Sequence, residues 1–169
     1  MMLAKLETLA DYTRRLQEDP AEVKALCQDV LIRVTGFFRD PGTFKGLAET
    51  VFPRLLEGRS PKDAIRVWVP GCSTGEEVYS LAICLLEFLG DQAEAIPIQL
   101  FGTDVNEAVI EKARSGVYVE NIGADVGPDR LRRFFTKVDG KYQVDRPIRS
   151  RCIFARQNLI TDPPFSNLD

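Results

Sequence analysis

Three groups of residues in this chain are of types that do chemistry. Pro70-Gly71-Cys72-Ser73-Thr74-Gly75 is a turn of small residues followed at once by two carboxylates, Glu76 and Glu77. Asp104 closes a β-rich run 29 residues beyond Gly75, and Thr35-Gly36-Phe37-Phe38-Arg39 sets paired aromatics beside an arginine. A glycine turn between a strand and a helix lets the backbone approach a ligand. The helix N-terminus then offers free N–H groups, and an acid ending the next strand accepts hydrogen bonds from ribose hydroxyls. This is the pattern of a nucleoside-cofactor site. It lacks the third glycine of G-x-G-x-x-G, and Asp104 stands further along than the roughly 20 residues of a dinucleotide fingerprint, which disfavours a nicotinamide cofactor. Spacing alone equally allows an ordinary βα turn with Asp104 capping the next helix. Nor does it choose between Glu76 and Glu77, since the helix dipole favours carboxylates at both positions. The Phe37-Phe38-Arg39 cluster reads either as two core rings with a solvated arginine or as ring faces and a guanidinium fork serving a site.

The elements that must position these groups are legible from periodicity and caps. Residues 1–60 read as helical. Leu3, Leu6, Leu9 and Leu16 share a face, Asp19-Pro20-Ala21-Glu22 is a helix start, and Val23, Leu26, Cys27, Val30, Leu31 and Val34 follow at helical spacing. Asp40-Pro41 repeats the start signal ahead of Phe44, Leu47, Ala48, Val51 and Leu55, with Pro53 expected to kink or end that helix because it cannot donate to the Glu49 carbonyl. From Ile65 the period changes. Ile65–Val69 reads as a strand, Glu76–Leu89 as a helix closed by Gly90, and Ile98–Thr103 as a second strand ending in Asp104. Asn106 caps a helix to about Ser115. Pro128–Phe135 reads as a short helix, Val138-Asp139-Gly140-Lys141 as a hairpin turn and Arg151–Arg156 as a third strand. The alternating order implies a parallel sheet with right-handed crossovers.

Composition narrows the chemistry. The 169 residues are 44% hydrophobic and 28% charged, enough for a buried core, and carry a net charge of −3. No apolar run reaches the roughly 18 residues of a membrane span and no secretory pattern follows Met1, so a cytoplasmic protein without membrane insertion is expected. The four cysteines show no C-x-x-C pair and read as reduced thiols. There is no histidine, which removes imidazole acid–base catalysis, His-containing triads and His-ligated zinc. No other metal site is expected. Residues 128–156 carry nine Lys or Arg against three acids, whereas residues 1–60 balance nine against nine. A solvated face is the ordinary explanation; a platform for an acidic helix is the functional one. Nucleic-acid binding is not expected from the overall negative charge.

Taken in order, Val34-Thr35-Gly36-Phe37-Phe38-Arg39-Asp40, then Gly71-Cys72-Ser73-Thr74-Gly75-Glu76-Glu77 with Tyr79-Ser80, then Thr103-Asp104 and Gln157-Asn158-Leu159 resemble the CheR family of chemotaxis receptor methyltransferases. The stretches 31–39 and 53–75 are most similar to the CheR segment of proteins that fuse methylesterase and methyltransferase modules. The resemblance implies an α/β fold, with an N-terminal helical domain over residues 1–60 and an incomplete Rossmann-like SAM-methyltransferase parallel sheet over 61–169. It also implies S-adenosyl-L-methionine (SAM) as cofactor, S-adenosyl-L-homocysteine as product, and glutamates on the cytoplasmic helices of chemotaxis receptors as the groups esterified. Thr35, Arg39, Glu76, Asp104, Asn158 and Leu159 match its cofactor-binding positions, and Arg39 is the residue nominated to act near the methyl group. Arg33 departs from the Asn common at its position, so no role passes to it.

A glutamate of pKa near ~4.3 is already an anionic nucleophile at neutral pH, so the lack of histidine fits this reaction. In the family the pattern continues past Asp169 with a fourth strand beside the first. This piece is therefore read as C-terminally truncated and possessing an exposed apolar edge at Ile65, Val67 and Val69, open to self-association, with activity of its own in doubt. The alternative function is a SAM-binding or scaffolding module of a signalling protein, without turnover.

Overall fold

A computed structural model describes residues 8–23, 26, 35–60 and 63–169. The chain divides into two compact units, residues 1–34 and 35–169. In the first, α1 runs Leu9–Glu18 and starts at Thr8, whose side chain accepts from the Asp11 N–H. The expected second start is present: the Asp19 carboxylate accepts the Ala21 and Glu22 amides at 2.9 and 3.3 Å. Leu3, Leu6, Cys27, Val30, Leu31 and Val34 lie outside the described residues.

The second unit begins with the Thr35–Arg39 loop and α2, Pro41–Gly46. Of the two outcomes expected at Pro53, a kink or an end, the helical stretch does not end but is locally distorted. A π turn over Leu47–Val51 precedes Pro53, with the Phe52 N–H reaching back to the Leu47 carbonyl, and α3 continues over Phe52–Leu56. The wider turn absorbs the missing proline donor without breaking the helix.

The strands are β1 (Ile65–Pro70), β2 (Ile98–Asp104), β3 (Val117–Tyr118), β4 (Phe135–Val138), β5 (Lys141–Val144) and β6 (Cys152–Arg156). Between them lie α4 (Glu76–Leu89), α5 (Glu107–Ser115), α6 (Gly123–Val126), α7 (Pro128–Phe134) and α8 (Arg146–Arg149). Strands β1, β2 and β6 form a parallel sheet with β2 in the middle, and Val67 faces Leu100 across β1 and β2. This is a partial Rossmann-like α/β architecture. A second, antiparallel sheet has the order β3-β5-β4; its β4–β5 hairpin turns through Asp139 and Gly140, both at positive φ.

The parallel sheet and α4 approach very closely at Gly102. A Cβ there would stand 2.7 Å from the Phe154 ring and 2.9 Å from Val78. Glycine is required at that position by space.

β1 stands at the edge of its sheet as expected, but the expected exposure of its apolar side chains is corrected by the structure. Ile65 and Val69 are buried, because strand alternation turns residues 65, 67 and 69 toward the core whether or not the edge is paired. The backbone of Arg66, which faces away from β2, meets Asp169: the Asp169 N–H donates to the Arg66 carbonyl at 3.0 Å, and its carboxylate accepts the Arg66 N–H at 2.9 Å. On the sheet's other face Phe165 stacks on Phe101 and meets Trp68 edge-on.

Candidate functional site

The carboxyl ends of β1 and β2 bring the glycine turn and two acids together. Gly71 and Gly75 have φ of 67° and 91°, left-handed values that a side chain resists, and a Cβ at Gly71 would meet nothing within 4 Å. The backbone is therefore open to a ligand at Gly71. Asp104 pins this turn to the sheet. One of its carboxylate oxygens accepts the Ser73 N–H at 3.0 Å and the other the Asn106 N–H at 2.9 Å. The Cys72 N–H donates to the Thr103 carbonyl at 2.9 Å, a second tie between turn and strand. Asp104 does not cap the following helix by itself: Asn106 does, accepting the Ala108 N–H at 3.0 Å.

The two glutamates left undecided by spacing separate cleanly. Glu76 is 8% exposed, and the Thr74 hydroxyl lies 2.6 and 2.8 Å from its two carboxylate oxygens, whereas Glu77 faces solvent. One hydroxyl proton on Glu76 and two amide N–H groups on Asp104 fill only part of each carboxylate's acceptor sites, so both retain acceptor capacity. Such a pair suits the hydroxyls and amine of a nucleoside cofactor. The Cys72 thiol beside them is pushed up to about 12, chiefly by burial and then by the Asp104 charge, so it stays protonated and serves as packing.

Asn158 follows β6 at the same end of the sheet, where the Gln157 N–H donates to the Asp104 carbonyl at 2.9 Å. Its side-chain carbonyl accepts the Ile160 N–H at 2.9 Å, shaping a local turn in which Leu159 is exposed. Thr35 is half-buried and Arg39 is exposed, on a loop fixed by the rings between them. Phe37 and Phe38, 1% and 5% exposed, are core residues. Phe37 packs edge-on to Tyr118 and Phe135, and the Phe38 N–H donates to the Ser80 hydroxyl at 3.0 Å. The Arg130 guanidinium sits 3.9 Å above the Phe38 ring while holding the Glu87 carboxylate through two hydrogen bonds.

Glu76, Asp104 and Asn158 are thus gathered by the sheet, while Arg39 and Leu159 stand at the surface. Sequence reasoning missed Thr74 as a partner of Glu76, and Tyr118 altogether. The only trace of Tyr118 in the sequence is an aromatic just past the Gly116 helix end. The basic stretch 128–156 is less of a patch than its composition suggests, because Arg130, Arg132, Lys137 and Arg151 are ion-paired to Glu87, Asp129, Glu120 and Glu94. Among the described residues there is no cluster able to hold a metal ion, and no helix is long and apolar enough to cross a membrane.

A parallel sheet whose carboxyl edge carries a glycine turn and two acids defines a nucleoside-cofactor-binding domain of the Rossmann-like class. Residues 33–169 match the family described as CheR methyltransferase, SAM binding domain, and the chain belongs to that family. Its cofactor is accordingly S-adenosylmethionine. The chain is 38% identical over its whole length to a 104.1 kDa protein from the hypE 3′ region of Rhodobacter capsulatus, of which it spans 18%. It is 30% identical over 146 residues to chemotaxis protein methyltransferase 2 of Vibrio cholerae, covering 86% of this chain and 50% of that one. Over 162 residues it is 30% identical to chemotaxis protein methyltransferase 1 of Pseudomonas aeruginosa, covering 92% of this chain and 58% of the relative. The chain therefore spans at most somewhat over half the length of these relatives.

Proposed function

We propose that this chain is the cofactor-binding part of a cytoplasmic SAM-dependent protein-glutamate O-methyltransferase acting on chemotaxis receptors. The observation that carries the reading is the pair of acids around an open glycine turn: Asp104 bonded to the Ser73 amide and Glu76 buried against Thr74. These residues fit the cofactor. The open space at Gly71 admits it, and two carboxylates with remaining acceptor sites match a ligand rich in hydroxyls and ammonium charge.

When bound, S-adenosylmethionine supplies a methyl carbon that a carboxylate oxygen attacks as the carbon–sulfur bond breaks, leaving a methyl ester and S-adenosylhomocysteine. Glu76 and Asp104 would hold the cofactor's polar groups, with Thr35, Asn158 and Leu159 completing its contacts. Arg39, at the surface of the loop, would steer the anionic substrate and polarise the region near the methyl group. Phe37 and Phe38 act through packing, fixing the loop that presents Thr35 and Arg39. No residue is required to move a proton, because a glutamate substrate is already ionised at neutral pH. Alignment and removal of water from that carboxylate carry the rate.

Calorimetric titration with S-adenosylhomocysteine and with NAD at equal concentration tests the site, with binding of the first alone as the expected result. Transfer of labelled methyl from SAM to a glutamate-bearing receptor helix, released by mild base, tests the reaction. Binding without transfer, in a chain extended to the length of its relatives, would replace the enzyme with a SAM-binding scaffold. Sedimentation of the 169-residue chain examines self-association through β1; a monomer at all concentrations would retire that possibility.

A further inference from the structure

Tyr118 lies on the two-residue strand β3, outside the set of residues assigned to the cofactor, and is 3% exposed. Its hydroxyl donates to the Thr74 carbonyl at 2.7 Å. Thr74 is the residue whose own hydroxyl reaches the Glu76 carboxylate, and it sits directly after Ser73, whose amide Asp104 holds. Two successive residues of the glycine turn are thus clamped from different strands, by an acid on β2 and by a phenol on β3. The Tyr118 ring makes a second contact. Phe37, midway between Thr35 and Arg39, packs edge-to-face against it with ring centroids 4.9 Å apart.

We infer that Tyr118 is a positioning residue that sets the glycine turn, and with it Glu76, in register with the Thr35–Arg39 loop. Its side chain touches both, hydroxyl on the turn and ring on the loop, and it acts beside Ser80, whose hydroxyl accepts the Phe38 N–H and donates to the Glu76 carbonyl. A buried carbonyl without a donor is costly, so the Thr74 peptide has one favoured orientation while the phenol is present. That orientation decides where the Thr74 hydroxyl, and hence the Glu76 carboxylate, stands. Burial, with the Glu76 charge next, raises the phenol well above its ordinary range, so it stays a donor across physiological pH. The inference rests on the cofactor site proposed above for its functional consequence, though not for its structural one.

The molecule contains its own control. Tyr79, 0% exposed, also donates its hydroxyl to a backbone carbonyl, that of Ala113 at 2.8 Å; its ring meets Tyr118 edge-on and Ala113 packs under Gly75, but its hydroxyl bonds to α5 and not to the turn, so removing that hydroxyl alone leaves the Thr74 carbonyl its donor. Tyr118→Phe and Tyr79→Phe each remove one phenol bonded to one carbonyl and keep the ring. Both should lower Tm by a similar few degrees. Only Tyr118→Phe should weaken S-adenosylhomocysteine binding, by about fivefold, the equivalent of one hydrogen bond; Tyr79→Phe should stay within about twofold.

Amide exchange in the ligand-free chain gives a second readout, with Ser73 exchanging faster in Tyr118→Phe and unchanged in Tyr79→Phe. Tyr118→Leu, which also removes the edge-to-face contact, should additionally speed exchange at the Phe38 amide. Equal behaviour of the two phenylalanine variants, in affinity and in exchange, overturns the inference. Should the parent chain bind no S-adenosylhomocysteine, the cofactor reading fails, and the exchange comparison still decides whether Tyr118 holds the turn.

Discussion

The two sheets of the second unit solve different problems. At the carboxyl edge of the parallel sheet, polar groups are matched over short distances: Asp104 to Ser73 and Asn106, Thr74 to Glu76. The antiparallel sheet carries none of the residues assigned to the cofactor. It offers a surface ion pair, Lys137 with Glu120, and one buried tyrosine that reaches across to the first region. The difference teaches that a site is built where backbone amides lack partners and side chains must supply them, whereas the supporting sheet acts through packed rings. Disturbing the first region should therefore cost both stability and ligand affinity, and disturbing the surface of the second should cost neither.

The largest effect is expected at Gly102. Gly102→Val would drive carbon into the Phe154 ring and Val78, and should cost about 3 kcal/mol or abolish folding, read by urea denaturation. Asp104→Ala comes next, since it leaves the Ser73 and Asn106 amides without their acceptor. A loss of about 2 kcal/mol is expected, together with loss of S-adenosylhomocysteine binding. Glu76→Gln should leave the fold intact and weaken binding about tenfold, while Glu77→Gln, on the solvent side of the same turn, should not alter it; equal losses would erase the distinction between buried and exposed acid.

A gentler test uses pH. The Cys72 and Cys152 thiols, raised mainly by burial from an ordinary 9.0 to about 12, bind protons in the folded state that the unfolded chain has released. Stability should thus be undiminished below about pH 9 and fall progressively as pH rises from 9 toward 12. A melting temperature flat across that window would contradict the burial of both thiols. At the small end, Lys137→Ala should leave Tm unchanged, because an exposed ion pair in the antiparallel sheet contributes little.

Much of this architecture is legible in the amino-acid sequence. The Ile65 and Ile98 strands, the Glu76–Leu89 helix, the Asn106 cap, the Asp139-Gly140 turn and the Arg151–Arg156 strand all stand where periodicity and caps put them. These signals are local: a helix cap or an αL glycine depends on neighbours within four residues. Pro53 shows the limit of such signals, since its missing donor predicts a kink or an end without choosing between them, and the helix takes a π turn over Leu47–Val51 and continues. The β1 edge shows another, because burial of Ile65 depends on which face of the strand turns to the core and not on edge pairing.

By itself, then, the amino-acid sequence determined the order of helices and strands, the glycine turn and the acids beside it, since those follow from short-range sterics, capping and side-chain period. Only the tertiary structure decided that Glu76 and not Glu77 turns inward, that Asp104 holds the turn, and that Tyr118 links Thr74 to Phe37. Those contacts join residues 31, 44 and 81 positions apart, and no local preference encodes which distant partners a closed core brings within hydrogen-bond reach.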